Sequence, residues 1–291
     1  MKSMPKLSHL TIFKDIVSCG SLHETSKKLA ISQPTLSRII KELEENIGSR
    51  LLERSNRGVK LTEVGAAFYK RIDTITNELR NAIYEVRGMK ESGEKFLRVG
   101  MSTYPLMCYL PKALKTFNQH YPHTRVTVVE DNPEGLVAKL RNSELDLVVC
   151  SLSEGISCVD LVTQDFKCEK FSLYQPSNQD VVEQPFNENK WVIPRSSAVG
   201  HAAIKDIVPQ LNQHANIVET DSFLATWCLV KQQGYLALLT DQVVSQYNSQ
   251  LSLKKIEVDE LDISAHFYII KRNEPITPVI TNDFIEILMA M

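Results

Sequence analysis

Apolar residues near the amino terminus recur every three or four positions, which is the spacing of one face of an α-helix. Residues 7–18 follow this pattern, and Gly20 can end the helix as a left-handed cap. A second short helix is predicted from Ser21 to about Leu29, with Ser21 accepting the amide of Glu24 in a capping box.

A third helix is predicted to begin after Ser32, which can cap it, with Pro34 in the first turn where a missing N–H costs nothing. Its inward stripe is Leu36, Ile40, Leu43 and Ile47. Its outward set is Gln33, Thr35, Ser37, Arg38 and Lys41, and Pro34 is a further candidate DNA-binding residue. A Gln side chain can hydrogen-bond to adenine, an Arg side chain to guanine or phosphate, and Ser and Thr hydroxyls to bases or phosphates. This polar face therefore indicates binding in a DNA major groove.

Residues 51–62 then alternate between apolar and polar positions, which predicts a small hairpin after Gly48. Arg54, Arg57 and Lys60 lie along it. Two short capped helices followed by a basic hairpin are typical of a winged helix-turn-helix, whose wing reaches phosphate or the minor groove.

The stretch GSLHETSKKLAISQPTLSRIIKELEENIGSRLLERSNRGVKLTEVG resembles the signature of the LysR-type transcriptional regulators. The matching positions are Gly20, Ser21, Leu29, Ser32, Gln33, Pro34, Leu36, Ser37, Ile40, Leu43, Glu44, Gly48, Leu51, Arg54, Arg57, Leu61, Thr62 and Gly65. Thr25 and Ser26 stand where the family usually has two alanines. The resemblance implies that the residues facing the operator are Gln33, Thr35, Ser37 and Arg38. It also implies that the wing uses Arg54 and Arg57.

A long helix is predicted from Thr62 to about Lys90. Its apolar residues repeat with heptad spacing at Phe68, Ile72, Ile75, Leu79, Ala82, Val86 and Met89. Such a seam indicates helix–helix association, although packing of the stripe on its own domain is the alternative. In the family this helix pairs two subunits, which implies a dimer and, by resemblance alone, a possible tetramer.

From Phe96 onwards, predicted strands alternate with predicted helices, which indicates parallel sheets with helical crossovers. The predicted helices include one from Pro105 to about His120 and one near 199–211. The fold class is therefore α/β: a winged helix-turn-helix over 1–61, a linker helix over 62–92 and an effector domain over 93–291. The effector domain resembles the periplasmic-binding-protein architecture of two α/β subdomains. These subdomains cover about 93–165 with 266–291, and about 166–265, and the strands joining them are expected near 165–168 and 262–266.

Ligands of open parallel sheets bind outside the carboxyl ends of the strands. This rule selects Ser102, Thr103, Tyr104, Ser151, Arg195, Ser197, Ser222 and Thr240 as effector-binding residues. We expect a small anionic metabolite whose carboxylate pairs with Arg195, while Ser102, Thr103 and Ser197 donate hydrogen bonds. Each hydroxyl has an alternative role as a helix cap, and Arg195 could be a solvated surface residue.

Composition and charge agree with this division. Residues 1–91 contain 16 Lys and Arg against 11 Asp and Glu, whereas the rest of the chain contains 17 against 24. A basic amino-terminal part favours phosphate contact there.

The polar start and the absence of a long apolar run predict a cytoplasmic protein that does not enter the membrane. The expected partners are double-stranded operator DNA, a small-molecule effector, a second copy of the chain and RNA polymerase, with no cofactor or metal.

Other functional classes were weighed against this hypothesis. A thiol redox-sensing regulator on the same scaffold would use Cys158 and Cys168, which lie ten residues apart in the sequence. An enzyme is disfavoured because the chain has no P-loop, G-x-G-x-x-G or G-x-S-x-G motif, and its histidines lack metal-ligand spacing. A free-standing solute-binding protein is disfavoured because no secretion signal is recognised.

Overall fold

A computed structural model describes residues 4–55, 58–88, 95–153, 155–178, 189–195, 216–257, 263–274 and 277–291. The chain forms two compact units, one of residues 1–87 with 142–144 and one of residues 88–141 with 145–291. No helix among the described residues is both long and apolar enough to span a membrane.

The first unit begins with three helices, α1 (Leu7–Cys19), α2 (Leu22–Leu29) and α3 (Gln33–Ile47). Their core contains the fully buried residues Phe13, Ile16, Leu36, Ile40 and Leu43, as the helical spacing of the sequence predicts. The α2 cap differs from the predicted capping box. The Ser21 hydroxyl accepts the amide of His23 at 3.2 Å, and the Glu24 carboxylate instead pairs with Lys27 at 3.1 Å.

The hairpin consists of β1 (Leu52–Ser55) and β2 (Gly58–Leu61), paired antiparallel. It joins the helices through a close backbone approach, because the amide of Val59 donates to the Gly20 carbonyl at 2.8 Å. Gly58 has a φ of +115°, and a Cβ there would lie 2.5 Å from the Gly20 oxygen. Only glycine satisfies both the backbone conformation and the space at this position.

Helix α4 (Glu63–Gly88) follows the hairpin. The Thr62 hydroxyl caps it by accepting the amide of Gly65 at 2.9 Å. The predicted heptad seam divides into two parts. Phe68 and Ile72 pack into the core of the helical head, whereas Ile75 and Leu79 are 50% and 40% exposed. The alternative of packing on its own domain therefore holds for the first turns of α4 only.

Within its described residues, the second unit contains nine strands in one sheet, flanked by helices. Its first half is β3 (Lys95–Met101), α5 (Thr103–Cys108), α6 (Leu110–His120), β4 (Thr124–Glu130), α7 (Pro133–Arg141) and β5 (Leu147–Ser151). Its remaining elements are β6 (Leu161–Pro176), β7 (Lys190–Ile193), β8 (Asn216–Glu219), α8 (Phe223–Gln233), β9 (Leu236–Thr240), α9 (Asp241–Leu251), β10 (Leu253–Ile256), β11 (Ile263–Arg272) and α10 (Val279–Met289).

The strand order is β4-β3-β5-β11-β6-β9-β7-β8, and β10 pairs with β6. Strands β4, β3 and β5 are parallel, as are β8, β7 and β9, so two parallel halves lie on either side of an antiparallel β6–β11 pair. These two strands connect the halves, near the predicted crossing positions. This arrangement is the two-part α/β fold that the alternation of strands and helices predicts.

Two details of the second unit differ from the sequence prediction, and one predicted helix is untested. The single helix expected from Pro105 to His120 is two helices that meet at Tyr109, and Pro111 falls at the start of the second. Proline removes a backbone donor, so it favours a new helix start over a continuous helix. Strand β10 is not predicted, and the helix expected over 199–211 lies outside the described residues.

Candidate DNA interface and effector cavity

Helix α3 presents two chemically different faces. Leu36, Ile40 and Leu43 are fully buried, while Gln33, Pro34, Arg38 and Lys41 are exposed and Thr35 and Ser37 are half-buried. The hydroxyl of Ser32 accepts the amide of Thr35 at 3.4 Å and so fixes the first turn. The outward set predicted from the sequence therefore lies on one polar face of the helix.

Some of these polar groups already have partners inside the protein. The Gln33 side-chain amide lies 2.8 Å from Nδ1 of His23 on α2, and the Thr35 and Ser32 hydroxyls are 2.8 Å apart. Binding to a base edge would require Gln33 to exchange this partner. His23 is not among the predicted site residues, although its place in the first turn of α2 was a signal.

The cations of this face differ in their surroundings. Lys41 is highly exposed and lies 3.8 Å from Glu45, one turn further along α3, an arrangement that contributes little to stability. Arg38 is exposed on the same helix. Arg54 lies on β1, although its side chain is outside the described part of the chain, and Arg57 lies entirely outside it.

A cavity of about 550 Å³ lies in the second unit, in the size range of small-molecule sites. Both halves of the sheet contribute to its wall. Its lining includes Ser102, Thr103, Tyr104, Ser151, Arg195 and Ser222 from the predicted effector set, together with Glu130, Asp131, Asn132, Thr220 and Asp221. Phe171, Phe223, Leu238 and Phe267 supply apolar surface.

Ser102 has an unusual environment in this wall. It precedes α5 at the N-cap position, but its hydroxyl makes no capping hydrogen bond. The Oγ atom is buried and has no hydrogen-bond partner among the described residues, while the Ser102 amide donates to the Val149 carbonyl at 3.0 Å. An unsatisfied buried hydroxyl is costly. Its position at the cavity offers a bound molecule one hydrogen bond.

Tyr104 and Thr103 shape the same side of the cavity. The Tyr104 ring meets Phe171 edge-on with centroids 5.3 Å apart, and burial raises the pKa of its phenol above the usual range. The Thr103 hydroxyl donates to the Glu130 carboxylate at 2.7 Å. This side of the cavity therefore has an aromatic surface, formed by Tyr104 and Phe171, beside the hydrogen-bonded carboxylate of Glu130.

Two acidic residues at the end of β4 line the cavity, although neither is in the predicted effector set. Glu130 ends β4, and Asp131 follows it, so the strand-end rule applies to both. The Lys139 ammonium donates to Asp131 and thereby lowers the pKa of that carboxyl, aided by the amide of Asn132 at 2.8 Å. Their place immediately after the β-branched run 126–129, which is typical of a strand, was the available signal.

The opposite wall carries Arg195 and the start of α8. Arg195 is 72% exposed, and its Nε lies 3.4 Å from the Asp221 carboxylate. The Ser222 hydroxyl accepts the amide of Ala225 at 3.3 Å, which is the capping role given as its alternative. The Thr220 hydroxyl in turn accepts the Ser222 amide at 3.1 Å.

Of the predicted effector residues that the structure describes, Thr240 does not line the cavity. Thr240 is fully buried at the end of β9, where its hydroxyl accepts the amide of Val243 at 3.3 Å and caps α9. Its side chain is committed to the cap and does not line the cavity. Ser197 lies outside the described residues. Ser151 lines the cavity at the end of β5.

The cysteine pair of the redox alternative has contrasting surroundings. Cys158 is half-buried, and burial raises the pKa of its thiol. Cys168 is exposed on β6, with its sulfur 3.7 Å from Nε2 of His266 on β11. A raised pKa disfavours the reactive thiolate at Cys158. In the described part of the chain, no three His, Cys, Asp or Glu side chains cluster as a metal site requires.

The fold and the site define a winged-helix unit followed by a two-part α/β unit that contains a cavity. Residues 7–66 match the family model described as "Bacterial regulatory helix-turn-helix protein, lysR family", and residues 91–291 match the "LysR substrate binding domain". The chain belongs to the LysR family of DNA-binding transcriptional regulators, as the sequence signature predicts.

Individual relatives agree with this family. The transcriptional regulator TdcA of Escherichia coli is 26% identical over 84% of this chain and 80% of its own length. The regulator CrgA of Neisseria meningitidis is 36% identical over 47% of this chain and 48% of its own length.

Solved structures share the fold across almost the whole chain. The LysR-family regulator CbnR superposes with a TM-score of 0.72 at 17% identity, covering 97% of this chain and 98% of its own. A full-length OxyR variant from Pseudomonas aeruginosa has a TM-score of 0.67 at 18% identity, covering 99% of this chain and 94% of its own. At these identities, the similarity establishes the architecture alone.

Proposed function

We propose that this regulator binds double-stranded operator DNA through α3 and the β1–β2 hairpin, and that a small molecule in the 550 Å³ cavity controls it. The polar face of α3, opposite its fully buried stripe, carries the DNA part of the proposal. The unpartnered Ser102 hydroxyl in the described cavity wall carries the effector part. Such a protein acts in the cytoplasm, where operator DNA and RNA polymerase are available.

The DNA contacts divide by chemistry. Gln33, Thr35, Ser37 and Arg38 are the proposed base-reading or base-adjacent groups, with Pro34 shaping the first turn. Lys41, Arg54 and Arg57 are the proposed phosphate contacts, which position the protein without reading sequence. Base-reading substitutions should relax specificity, whereas phosphate-contact substitutions should weaken binding to all sequences.

The DNA proposal is tested with Arg38→Ala and genomic fragments that the wild-type protein selects from a fragment library. We expect a loss of about 1–3 kcal/mol in binding free energy, measured by fluorescence anisotropy at fixed salt. The matched control is Arg125→Ala, which removes an exposed arginine from β4 in the second unit. Equal affinity of a folded Arg38→Ala protein and the control would reject the assignment.

Within the cavity, we propose that Ser102, Thr103, Tyr104, Ser151 and Ser222 contact the effector. Arg195 would pair with a carboxylate of the effector, because guanidinium presents several donors in a planar fork and Asp221 engages one edge. We therefore expect the anionic group of the effector at this wall.

The effector proposal is tested by footprinting selected DNA with and without fractions of a small-molecule extract from the source cells. A fraction that changes the footprint is then titrated by calorimetry against wild type and Arg195→Ala. We expect roughly tenfold weaker binding for the variant, because a charge-assisted hydrogen bond is lost. A footprint that no fraction alters would overturn the effector role.

Dimerisation through α4 is proposed from the exposed half of its heptad seam, at Ile75, Leu79, Ala82 and Val86. A second copy of this chain fits best, because the identical heptad pattern supplies the complementary stripe. The α3 helices of the two copies could then contact two half-sites of one operator.

A further inference from the structure

The charged side chains of the effector cavity are mostly acidic. Within the described lining, Glu130, Asp131 and Asp221 are the carboxylates, and Arg195 is the cation. A purely anionic molecule would face more negative than positive charge in this space. Like charges in a partly enclosed site raise the free energy of binding.

The three carboxylates are not equivalent. Asp131 pairs with the Lys139 ammonium, and Asp221 lies beside the Arg195 guanidinium. For Glu130, the polar contact within the described residues is the neutral Thr103 hydroxyl at 2.7 Å. One donor satisfies only part of a carboxylate, which has about four acceptor positions. Glu130 is exposed, so its other acceptor positions are open to a ligand, and no described cation lies beside it.

Groups that favour a bound anion lie on the opposite wall of the cavity, which contains Arg195 and the start of α8. Arg195 presents its guanidinium there, and the eleven-residue helix α8 begins directly after Ser222. The first-turn amides of a helix of this length favour an anion. The buried Ser102 hydroxyl, on the Glu130 side, can donate to an oxygen or accept from a nitrogen of the ligand.

We propose that the effector is a zwitterion, with an ammonium group at Glu130 and a carboxylate at Arg195, in the manner of an amino acid. This inference rests on the proposed effector role of the cavity and names the ligand class for that role. The apolar body of the molecule lies against Phe171 and Phe267. Pairing of both charges explains why the cavity needs acidic as well as basic groups.

The test uses full-length protein and the common L-amino acids, each compared with the carboxylic acid that lacks its amino group. The thermal unfolding midpoint is measured with each probe, because a ligand that binds the folded state raises it. We expect at least one amino acid to raise the midpoint. Its deaminated counterpart should bind roughly tenfold or more weakly, because the contact with the Glu130 charge is lost.

Glu130→Gln is the variant that isolates the charge, because the amide oxygen still accepts the Thr103 hydroxyl. We expect it to bind the active amino acid about tenfold more weakly, and to bind the deaminated probe as well as or better than wild type does. Glu257→Gln, an exposed carboxylate outside the cavity lining, is the matched control and should retain the response. Unchanged unfolding midpoints without ligand show that both variants are folded.

The outcomes separate this inference from the proposed function. Equal stabilisation by an amino acid and its deaminated acid, unaffected by Glu130→Gln, would reject the zwitterion and leave an effector cavity for simple anions. No stabilisation by any amino acid would also reject the zwitterion, even where an extract fraction alters the footprint. Loss of the response in Glu257→Gln would reject the assignment to Glu130.

Discussion

The Glu44 carboxylate on α3 accepts the backbone amide of Leu51 at 2.8 Å, and the same oxygen accepts the amide of Leu52 at 3.1 Å. Leu51 is fully buried and Leu52 nearly so, so these amides have little access to water. One acidic side chain therefore fixes the start of the hairpin to α3.

Replacing Glu44 with alanine should destabilise the amino-terminal unit. Two buried amides lose a charged acceptor, so we expect a cost of about 2–4 kcal/mol in unfolding free energy. Chemical denaturation of the full chain, followed by hydrogen exchange at the hairpin amides, measures it. Glu45→Ala is the control, since Glu45 is exposed beside Lys41, and it should change stability by less than about 0.5 kcal/mol.

Gly65 allows the first turn of α4 to touch the hairpin. A Cβ at this position would lie 2.0 Å from the Leu51 carbonyl oxygen, which is backbone and cannot rotate away. Gly65→Ala should therefore lower the unfolding midpoint and weaken DNA binding, although alanine is normally the better helix former. Ala67→Ser, on the exposed side of the same turn, should change neither quantity. A Gly65→Ala protein as stable as wild type would contradict this packing.

Ser102→Ala separates stability from binding. The Ser102 hydroxyl is buried without a partner among the described residues, so its removal should leave the unfolding midpoint unchanged or raised, while effector affinity falls about fivefold or more. Thr240→Val should behave oppositely, because the Thr240 hydroxyl caps α9 and its loss costs about 1 kcal/mol. Thermal unfolding and ligand titration on both variants check the contrast. A destabilised Ser102→Ala protein with unchanged affinity would refute the assignment.

The Asp131–Lys139 pair predicts a pH dependence of stability. The lysine lowers the pKa of Asp131 in the folded state, so its contribution is present above the unfolded-state pKa of about 3.9 and is lost as the pH falls through the lower folded value. Asp131→Asn should therefore cost less than about 1 kcal/mol at neutral pH, given the partial exposure of the pair, and nothing in strong acid. Unfolding titrations at several pH values check the difference. A constant difference at every pH would argue against this linkage.

Leu79→Lys should dissociate the proposed dimer. The side chain is 40% exposed in the isolated chain, and a charge at a heptad core position opposes burial against a second helix. Val159→Lys adds the same charge at a 96% exposed position of the second unit and should leave the assembly intact. Sedimentation of both variants measures the oligomeric state. Equal molar masses for the two would point to another interface.

Local patterns predicted most of the architecture. The stripe of Leu36, Ile40 and Leu43 identifies α3 because helical periodicity and burial coincide there. Strand and helix order in the second unit follows in the same way. The four-residue strand β10 escaped prediction because a short apolar and basic run has no periodicity to distinguish it from a loop.

Contacts between residues that are far apart in the sequence could not be predicted from local patterns. The Glu44 acceptor role depends on the hairpin folding back onto α3, and the Gln33–His23 contact depends on the angle between two helices. The strand-end rule located much of the cavity wall, but it could not distinguish Ser102, whose hydroxyl has no described partner, from Thr240, whose hydroxyl caps a helix. That distinction is set by which neighbouring amide lies within reach.

The antiparallel pair of β6 and β11 extends from Leu161 to Phe171 and contains one surplus residue, Phe166, at the register shift between Phe267 and Tyr268. A strand pairing of this length resists a shift of register, because such a shift would break all of its backbone hydrogen bonds together. A bulge increases local twist without breaking the hydrogen bonds on either side. The long pairing therefore fixes the register of the two strands that connect the halves, and the bulge at Phe166 adds twist at one point between them, which sets the angle at which the two halves of the cavity wall face each other.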